Sequence, residues 1–406
     1  MNYIEGGVCA PKGFTAAGMH VGIRANKEKN DLMVIFSMHP CSSAGIFTKN
    51  IVCSGPVKLN RKNIIAGNAC AFIANSGIAN ACCPNCNENA LRMQHAAAQA
   101  LKIENEQVLV ASTGIIGVRL PVEKIENNIS ELVSRLENSA EGSNEAALAI
   151  MTTDTRKKEF AISGEISGKT VTIGGIAKGS GMIHPNMGTM LCFLTTDCLI
   201  SASMLDKALR NVCDVTFNRI SVDGDTSTND SMMILANGLA CNNFITEEND
   251  DFILFESMLR DLCTRIARAM AADGEGAKHL ITCTVLNSSS EQKASHIAKS
   301  IISSNLTKTA IFGCDANWGR VLCAMGYSGE KFNPDAVDIY FRSDIGTIKV
   351  CENGIGVNFD ETLAKEILLR PEIEILANIN EGKYSATCWG CDMTYDYISI
   401  NGDYRT

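Results

Sequence analysis

The sequence predicts a layered α/β fold, because segments with helical spacing alternate with short apolar runs along the whole chain. The chain has 406 residues, of which 46% are hydrophobic and 20% are charged, so it can bury a large core. This length suits two or three domains, or one large α/β unit built of two lobes. Neither an internal repeat nor a low-complexity tract interrupts the pattern.

The composition excludes several classes of function. The formal net charge is −9, which argues against nucleic acid or an anionic membrane as the main partner, since both need a basic surface. No apolar run approaches the ~18 residues that a membrane-spanning helix needs. The N-terminus lacks the basic start and apolar segment of a targeting peptide, so we expect a cytoplasmic protein. The 18 cysteines lie mostly in apolar contexts, where reduced and buried thiols are expected.

The elements follow from local patterns, taken in chain order. Residues 10–14 are a predicted turn and residues 45–50 a predicted glycine-led loop. Short apolar runs predict strands at 31–37, 69–74, 107–111, 190–194 and 279–286. Helical spacing predicts helices at 87–101, 121–137, 143–151, 203–215, 252–270 and 361–370, with another that ends at 303. The polar segment 287–292 is the best linker candidate.

Two familiar loop motifs fail on inspection. Residues 174–181 resemble a phosphate-binding loop, but the lysine precedes the second glycine and no Lys-Ser/Thr pair follows. Asp223-Gly-Asp225 begins like a calcium loop. However, Thr228 occupies the position of the required turn glycine, and Ile234 that of the bidentate glutamate. Neither a nucleotide site nor an EF-hand is therefore expected.

Two Cys-x-x-Cys pairs suggest a zinc site or a redox role for Cys83-Pro-Asn-Cys86, although the βαβ context that a redox pair needs is not evident. Cys83/Cys86 and Cys388/Cys391 could together form a four-thiolate zinc site, which would make the protein a non-catalytic, metal-binding one. Structural zinc sites are usually local in sequence and these pairs are far apart, so we expect no metal.

The stretch from 178 to 197 contains the most distinctive chemistry. Lys178 opens it among small residues, a turn at 184–186 follows, and Gly188-Thr189 leads into the apolar run. We interpret it as a flexible loop that delivers the Thr189 hydroxyl to the start of a buried strand. Attack of that hydroxyl on the preceding carbonyl would cleave the chain and leave a threonine whose α-amine is the base for its own Oγ. A tight turn before a core strand is the simpler explanation of these residues alone.

Other small or polar residues stand at the ends of predicted elements. They are Thr113-Gly114, Thr152-Thr153, the segment 223–230, Glu275 and the segment 401–406. Each alone has an ordinary structural explanation, such as a turn, a helix cap or a solvated carboxylate.

Together and in this order, these segments resemble the ornithine acetyltransferase family, arginine-biosynthesis enzymes also called glutamate N-acetyltransferases. The resemblance runs nearly end to end, in blocks at 10–14, 45–50, 75–82, 111–117, 151–155, 177–197, 221–230, 273–277, 308–313, 315–320, 389–392 and 400–406. It implies an N-terminal-nucleophile-like α/β sandwich, shared with related aminopeptidases and self-cleaved into two chains.

The resemblance also assigns residues to roles. It implies cleavage between Gly188 and Thr189, which gives an α chain, 1–188, and a β chain, 189–406, with a further candidate boundary near 287–292. Thr189 becomes the catalytic nucleophile, and the Thr113 hydroxyl with the Gly114 backbone N–H forms the oxyanion hole. The positions implied to contact substrate are Thr152 (preferred over Thr153), Lys178, Thr189, Glu275, Asn401 and Thr406.

The implied reaction moves the acetyl group of N2-acetyl-L-ornithine to L-glutamate through an acetyl-Thr189 ester. Lys178 suits the α-carboxylate that both substrates carry, and Glu275 suits the ornithine ammonium. No cofactor is implied. Acetyl-CoA stays open as a second acetyl donor, although no recognisable CoA-binding motif is present. The implied assembly contains two α and two β chains.

Two further observations qualify the resemblance. Gly188 stands where the family usually has alanine, and Cys82-Cys83-Pro84 replaces the usual Cys-Thr-Gly. An amidohydrolase or aminopeptidase of the same fold is the alternative that keeps the nucleophile, with water in place of glutamate as the acyl acceptor.

Overall fold

The structure is a computed structural model that describes residues 1–184 and 190–403. Its strands are β1 (Asn2–Ile4), β2 (Phe14–Met19), β3 (Leu32–Ser37), β4 (Ser42–Phe47), β5 (Ala71–Asn75), β6 (Val108–Ser112), β7 (Lys158–Ile166), β8 (Lys169–Lys178), β9 (Leu191–Thr196), β10 (Ile220–Ser221), β11 (Ser231–Ala236), β12 (Leu280–Ser288), β13 (Asp338–Ser343), β14 (Gly346–Glu352), β15 (Ile355–Gly356), β16 (Glu372–Asn378) and β17 (Tyr384–Cys391). Its helices are α1 (Gly55–Asn63), α2 (Cys86–Leu101), α3 (Val122–Ser134), α4 (Ala140–Ile150), α5 (Ala202–Val215), α6 (Asp250–Ala272), α7 (Glu291–Ser303), α8 (Asn305–Phe312), α9 (Trp318–Gly326), α10 (Glu361–Leu368) and α11 (Tyr395–Gly402).

The chain divides into two compact units. Within the described residues, the first unit comprises 1–179, 190–218 and 226–266. The second comprises 180–184, 219–225 and 267–403. None of the helices in the described part of the chain is long and apolar enough to cross a membrane.

Two sheets form the centre of the first unit. A six-stranded sheet has the order β1-β7-β8-β9-β11-β4, and a four-stranded sheet has the order β2-β3-β5-β6. Side chains from both sheets meet in one hydrophobic core, in which the rings of Phe72 on β5 and Phe193 on β9 lie 5.2 Å apart between centroids. The apolar run predicted at 190–194 thus becomes β9 inside this core.

Helices cover the outer faces of these sheets. On the four-stranded sheet, Ile73 and Val110 belong to the same buried cluster as Met93 of α2 and Ile125 of α3. Against the six-stranded sheet, α5 contacts β4, and residues of α6 pack against glycines of β7 and β8. Helices therefore flank two stacked sheets, and the predicted layered α/β class is confirmed.

The second unit is built on one seven-stranded sheet of order β10-β17-β12-β16-β13-β14-β15. Alternate residues of β12, namely Ile281, Cys283 and Val285, enter its core, whereas Thr282 and Thr284 on the other face are only half-buried. Helices α7, α9 and α10 supply the facing apolar side chains.

The predicted elements are largely confirmed, but one is wrong and several were missed, among them the helices α1, α8, α9 and α11. The segment 45–50 is not a loop, since β4 continues to Phe47 and pairs antiparallel with β11. The hairpin of β7 and β8 was not predicted. Its two strands are joined by a two-residue turn at Ser167 and Gly168, which both have positive φ.

Candidate active site

Lys178 occupies the end of a strand and not a flexible loop. It is the last residue of β8, pairs with Leu191 of β9, and is only 8% exposed. Gly188 and Thr189, the predicted cleavage site, lie outside the described residues, as does Thr406. In the sequence, the predicted nucleophile Thr189 stands two residues before Leu191, the first residue of β9 and the partner of Lys178.

The buried carboxylate of Asp154 joins two of the predicted substrate-binding positions. Its Oδ1 accepts hydrogen bonds from the Gly179 N–H at 2.7 Å and from Lys158 Nζ at 2.6 Å. Its Oδ2 accepts from the Thr152 N–H at 3.0 Å. Asp154 therefore ties the end of β8, just after Lys178, to the segment that follows α4.

The charge of this cluster determines the ionisation of Asp154. Burial alone would raise the pKa of the carboxyl, but the positive charges of Lys178 and Lys158 and the hydrogen bonds outweigh it and hold the pKa at about 2. Asp154 is consequently a carboxylate at neutral pH. The positive charges of Lys178 and Lys158 thus act on one buried carboxylate.

The predicted oxyanion residues follow the end of β6. The Thr113 N–H donates to the Asn75 carbonyl at 3.0 Å, and Ile78 bridges to Thr113. Gly114 has φ 126°, and a Cβ there would lie 2.2 Å from the carbonyl carbon of Gly77. No side chain fits at this close approach, so Gly114 is required sterically.

A buried polar network holds the two loops together. Because β5 and β6 are parallel neighbours, their carboxyl ends share one edge of the sheet. The Asn229 amide donates to the carbonyls of Ala79 at 2.6 Å and Ser112 at 2.7 Å. The Ser112 hydroxyl donates to Asn75 Oδ1 at 2.6 Å. These bonds position the backbone at Thr113 from both sides.

The second unit contains Glu275 and Asn401. Asn401 Nδ2 donates to Glu275 Oε2 at 2.8 Å, and the Glu275 N–H donates to the Ser180 carbonyl at 2.9 Å. The Glu275 carboxylate also lies against Gly181, where a Cβ would be 2.3 Å from its carboxyl carbon. Glu275 is only 7% exposed, so its carboxylate is a buried negative charge and not a solvated one.

Further acidic groups surround this carboxylate within the second unit. Burial raises the pKa of the Tyr397 hydroxyl well above its usual value, and the charges of Asp223, Glu275 and Asp225 raise it further. Tyr397 is therefore a neutral hydrogen-bond donor, and it donates to Asp223 at 3.4 Å. The negative charges of Asp223, Asp225 and Glu275 near Tyr397 favour a cationic ligand group.

Sequence reasoning identified some of these residues and missed others. Thr152 and Lys178 meet at Asp154, Thr113 and Gly114 are adjacent, and Glu275 contacts Asn401. The missed residues are Asp154, Lys158, Asn229 and Tyr397. Asp154 and Asn229 stand inside two of the blocks that carry the resemblance, and that position was the available signal.

The two Cys-x-x-Cys pairs lie in different units of the chain. Among residues 1–184 and 190–403, no group of three or more His, Cys, Asp or Glu side chains could hold a metal ion. In β17, the Cys388 thiol contacts the Ser295 carbonyl of α7, whereas Cys391 contacts Lys308 Nζ at 3.6 Å. Residues three apart on a strand point to opposite faces, so these two thiols cannot share one ion.

Comparison with known proteins gives matches along nearly the full length. The ArgJ family model matches residues 15–406. The arginine biosynthesis bifunctional protein ArgJ of Caldanaerobacter subterraneus is 48% identical over 407 residues, which cover 100% of both chains. ArgJ 1 of Clostridium acetobutylicum is 48% identical over 394 residues, which cover 97% of this chain and 96% of that protein.

Two solved structures show partial matches. A chain of the bifunctional protein argJ from Bacillus halodurans is 42% identical, with a TM-score of 0.49 over 52% of this chain and 97% of that one. A chain of ornithine acetyltransferase complexed with ornithine, from Mycobacterium tuberculosis, is 36% identical, with a TM-score of 0.43 over 47% of this chain and 99% of that one. The resemblance found in the sequence is confirmed by the match of the family model and by full-length relatives, and the chain belongs to the ArgJ family.

Proposed function

We propose that this protein moves the acetyl group of N2-acetyl-L-ornithine to L-glutamate and releases ornithine and N-acetylglutamate. As a member of the ArgJ family it is an acetyl-transferring enzyme of arginine biosynthesis. The observation that carries the proposal is the 48% identity to an ArgJ protein across 100% of both chains. Relatives are named bifunctional, and the second activity we propose is acetylation of glutamate by acetyl-CoA.

The proposed chemistry begins with cleavage between Gly188 and Thr189. The Thr189 Oγ then attacks the acetyl carbonyl carbon while the new α-amine takes its proton. The Thr113 hydroxyl and the Gly114 N–H hold the oxyanion, and loss of one such donor typically costs ~3 kcal/mol of transition-state stabilisation. The C–N bond breaks as the α-ammonium returns its proton to the leaving ornithine nitrogen. The glutamate amine then attacks the acetyl-Thr189 ester, the acyl–Oγ bond breaks, and a proton from the amine restores the Thr189 hydroxyl as N-acetylglutamate leaves.

The charges of the two clusters support the remaining roles. Both substrates carry an α-carboxylate, which suits the positive charge of Lys178, close to Thr152 through Asp154. The ornithine ammonium suits the buried Glu275 carboxylate and its partner Asn401. We assign Thr406 to substrate binding on the family resemblance alone. We also propose a cytoplasmic assembly of two α and two β chains.

Denaturing electrophoresis tests the nucleophile. The wild-type protein should give two chains of about half length, and Thr189→Ala should give one intact chain because the attacking hydroxyl is gone. Thr170→Ala, which removes an exposed hydroxyl from β8, is the matched control and should be cleaved like the wild type. An uncleaved wild-type chain would overturn the mechanism. Light scattering of the cleaved protein tests the proposed assembly.

Product analysis separates transfer from hydrolysis. With N-acetylornithine and glutamate together, the enzyme should form N-acetylglutamate and ornithine in equal amounts. Without glutamate, turnover should nearly stop, because no amine is present to accept the acetyl group. Release of acetate at an unchanged rate without glutamate would instead identify an amidohydrolase.

A further inference from the structure

Three cysteines lie together just before and at the start of α2, in a segment the proposed reaction does not use. We call residues 82–86, Cys-Cys-Pro-Asn-Cys, the thiol turn. Cys82 is exposed, and Cys83 and Cys86 are partly exposed. Most other thiols in the described residues are buried, which makes this turn the densest group of thiols that solvent can reach.

The backbone of the thiol turn brings Cys83 and Cys86 close together. Pro84 and Asn85 form the turn between them, and Asn85 has left-handed angles, φ 61° and ψ 20°. Proline followed by asparagine suits a type II turn, whose end residues have Cα atoms less than ~7 Å apart. A disulfide needs a Cα separation of about 4.4–6.8 Å, so the turn permits one between its ends.

The Cys83 thiol is partly buried beside the other two thiols. Burial raises the pKa of the Cys83 thiol, and the neighbouring Cys86 and Cys82 raise it further. The Cys83 thiol also contacts Asn80 Oδ1 at 3.8 Å. Within the described residues, these thiols belong to no group of three or more His, Cys, Asp or Glu side chains that could hold a metal ion.

The thiol turn is connected to the backbone that supports Gly114. Asn80 Nδ2 donates to the Cys86 carbonyl at 3.0 Å, and the Ala81 carbonyl, next to Cys82, accepts from the Gly117 N–H at 3.0 Å. The same loop begins at Gly77, which lies against Gly114. Displacement of the Cys83 sulfur therefore reaches Asn80 and, through it, the loop that holds the proposed oxyanion residues.

We propose that Cys83 and Cys86 form a reversible disulfide by exchange with oxidised glutathione or a similar small disulfide, and that its formation slows acetyl transfer. Closing the bond moves the Cys83 sulfur from Asn80 to Cys86, because the two sulfurs must approach to about 2.05 Å. The disulfide does not depend on the proposed function, whereas its effect on turnover rests on it.

The exchange balances in two steps. The Cys86 thiolate attacks one sulfur of oxidised glutathione, whose S–S bond breaks and releases one glutathione thiolate. The Cys83 thiolate then attacks the Cys86 sulfur of the mixed disulfide and releases the second glutathione. Both cysteines are oxidised, one glutathione disulfide is reduced to two thiols, and the two protons from the cysteines pass to the released thiolates.

Glutathione titration with peptide mapping tests the disulfide. Purified full-length protein is equilibrated at graded ratios of reduced to oxidised glutathione, alkylated and mapped by mass spectrometry. We expect a peptide with Cys83 and Cys86 linked, and a severalfold fall in turnover that follows the linked fraction and is reversed by dithiothreitol. Absence of the linked peptide at every ratio would overturn the proposal, and a linked peptide with unchanged turnover would overturn its coupling to catalysis.

Serine variants show whether these thiols are responsible. The double variant Cys83→Ser/Cys86→Ser, verified as folded by its thermal transition, should be as active as the wild-type protein in its thiol form. It should no longer respond to oxidised glutathione. Cys241→Ser removes another exposed thiol of the same unit and should keep the wild-type response. A response that persists in the double variant would overturn the proposal. Peptide mapping needs no substrate, so it tests the disulfide independently of activity. If the protein in its thiol form transferred no acetyl group, the proposed function would be refuted and the disulfide result would still stand.

Discussion

Asp154 determines the local charge around two predicted substrate-binding residues. Its side chain is fully buried and bonds Lys158, while backbone N–H groups from Thr152 and Gly179 satisfy its remaining lone pairs. Removing one partner of such a pair is costly because the other charge stays buried without compensation. Asp154 is thus a positioning residue for Lys178 in the proposed site.

The dependence of the free energy of unfolding on pH in the acidic range tests this role. Because the folded pKa of Asp154 is about 2, below the ~3.9 of an unfolded aspartate, its stabilisation is present above pH ~4 and is lost as the pH falls through ~2. Asp154→Asn should lower the free energy of unfolding by about 3 kcal/mol at pH 7. The difference from wild type should shrink between pH 4 and 2, as measured by urea unfolding.

Asp344→Asn is the matched control for that experiment. Asp344 pairs with Arg370 at 2.6 Å on the surface, where solvent screens the interaction, so its loss should change stability much less. A gap between wild type and Asp154→Asn that stays constant down to pH 2 would contradict the assigned pKa.

At the scale of elements, the parallel pair β5 and β6 explains the position of the proposed oxyanion residues Thr113 and Gly114. Parallel strands end at the same edge, so the loops after Asn75 and Ser112 meet there, and Asn229 next to β11 bonds both. The site geometry in the first unit is therefore a property of strand order and not of any one loop.

Two glycine substitutions separate close packing from backbone strain. Gly114→Ala should lower the free energy of unfolding by about 3 kcal/mol or more and abolish most turnover, because its Cβ would overlap the Gly77 carbonyl. Gly117 also has positive φ, 82°, but nothing lies within 4 Å of its added Cβ. Gly117→Ala should therefore cost only about 1 kcal/mol of strain. Urea unfolding and turnover measure both, and equal losses would contradict the close approach.

At the scale of the whole molecule, each of the two units has an extensive apolar core of its own. The first unit buries side chains on both faces of its four-stranded sheet, and the second unit has its own core against the seven-stranded sheet. Both are large enough to support an α/β fold.

Chelation tests whether the protein depends on a four-thiolate zinc site. Dialysis of the reduced protein against EDTA should leave the melting temperature and turnover unchanged, because Cys388 and Cys391 point to different neighbours and cannot share an ion. Stoichiometric zinc in the purified protein, lost together with stability on chelation, would instead support the four-thiolate alternative.

The sequence predicted most elements because their periodicity is local. The spacing of apolar residues predicted a helix at 121–137, and the structure has α3 at Val122–Ser134. The run at 190–194 predicted a buried strand, found as β9. The prediction of a loop at 45–50 was wrong because Gly45 weakens the local strand pattern. Its pairing with Met233 of β11 depends on residues far along the chain.

The sequence by itself determined the α/β class, the order of most elements and the family, because burial periodicity and motif order are written along the chain. Only the tertiary structure decided that Lys178 is buried at the end of β8, that Asp154 joins it to Thr152, and that Gly114 touches Gly77. Each of these depends on strand pairing or on charges that meet across long sequence separations. Such contacts form only when the layers pack, so local patterns carry no trace of them.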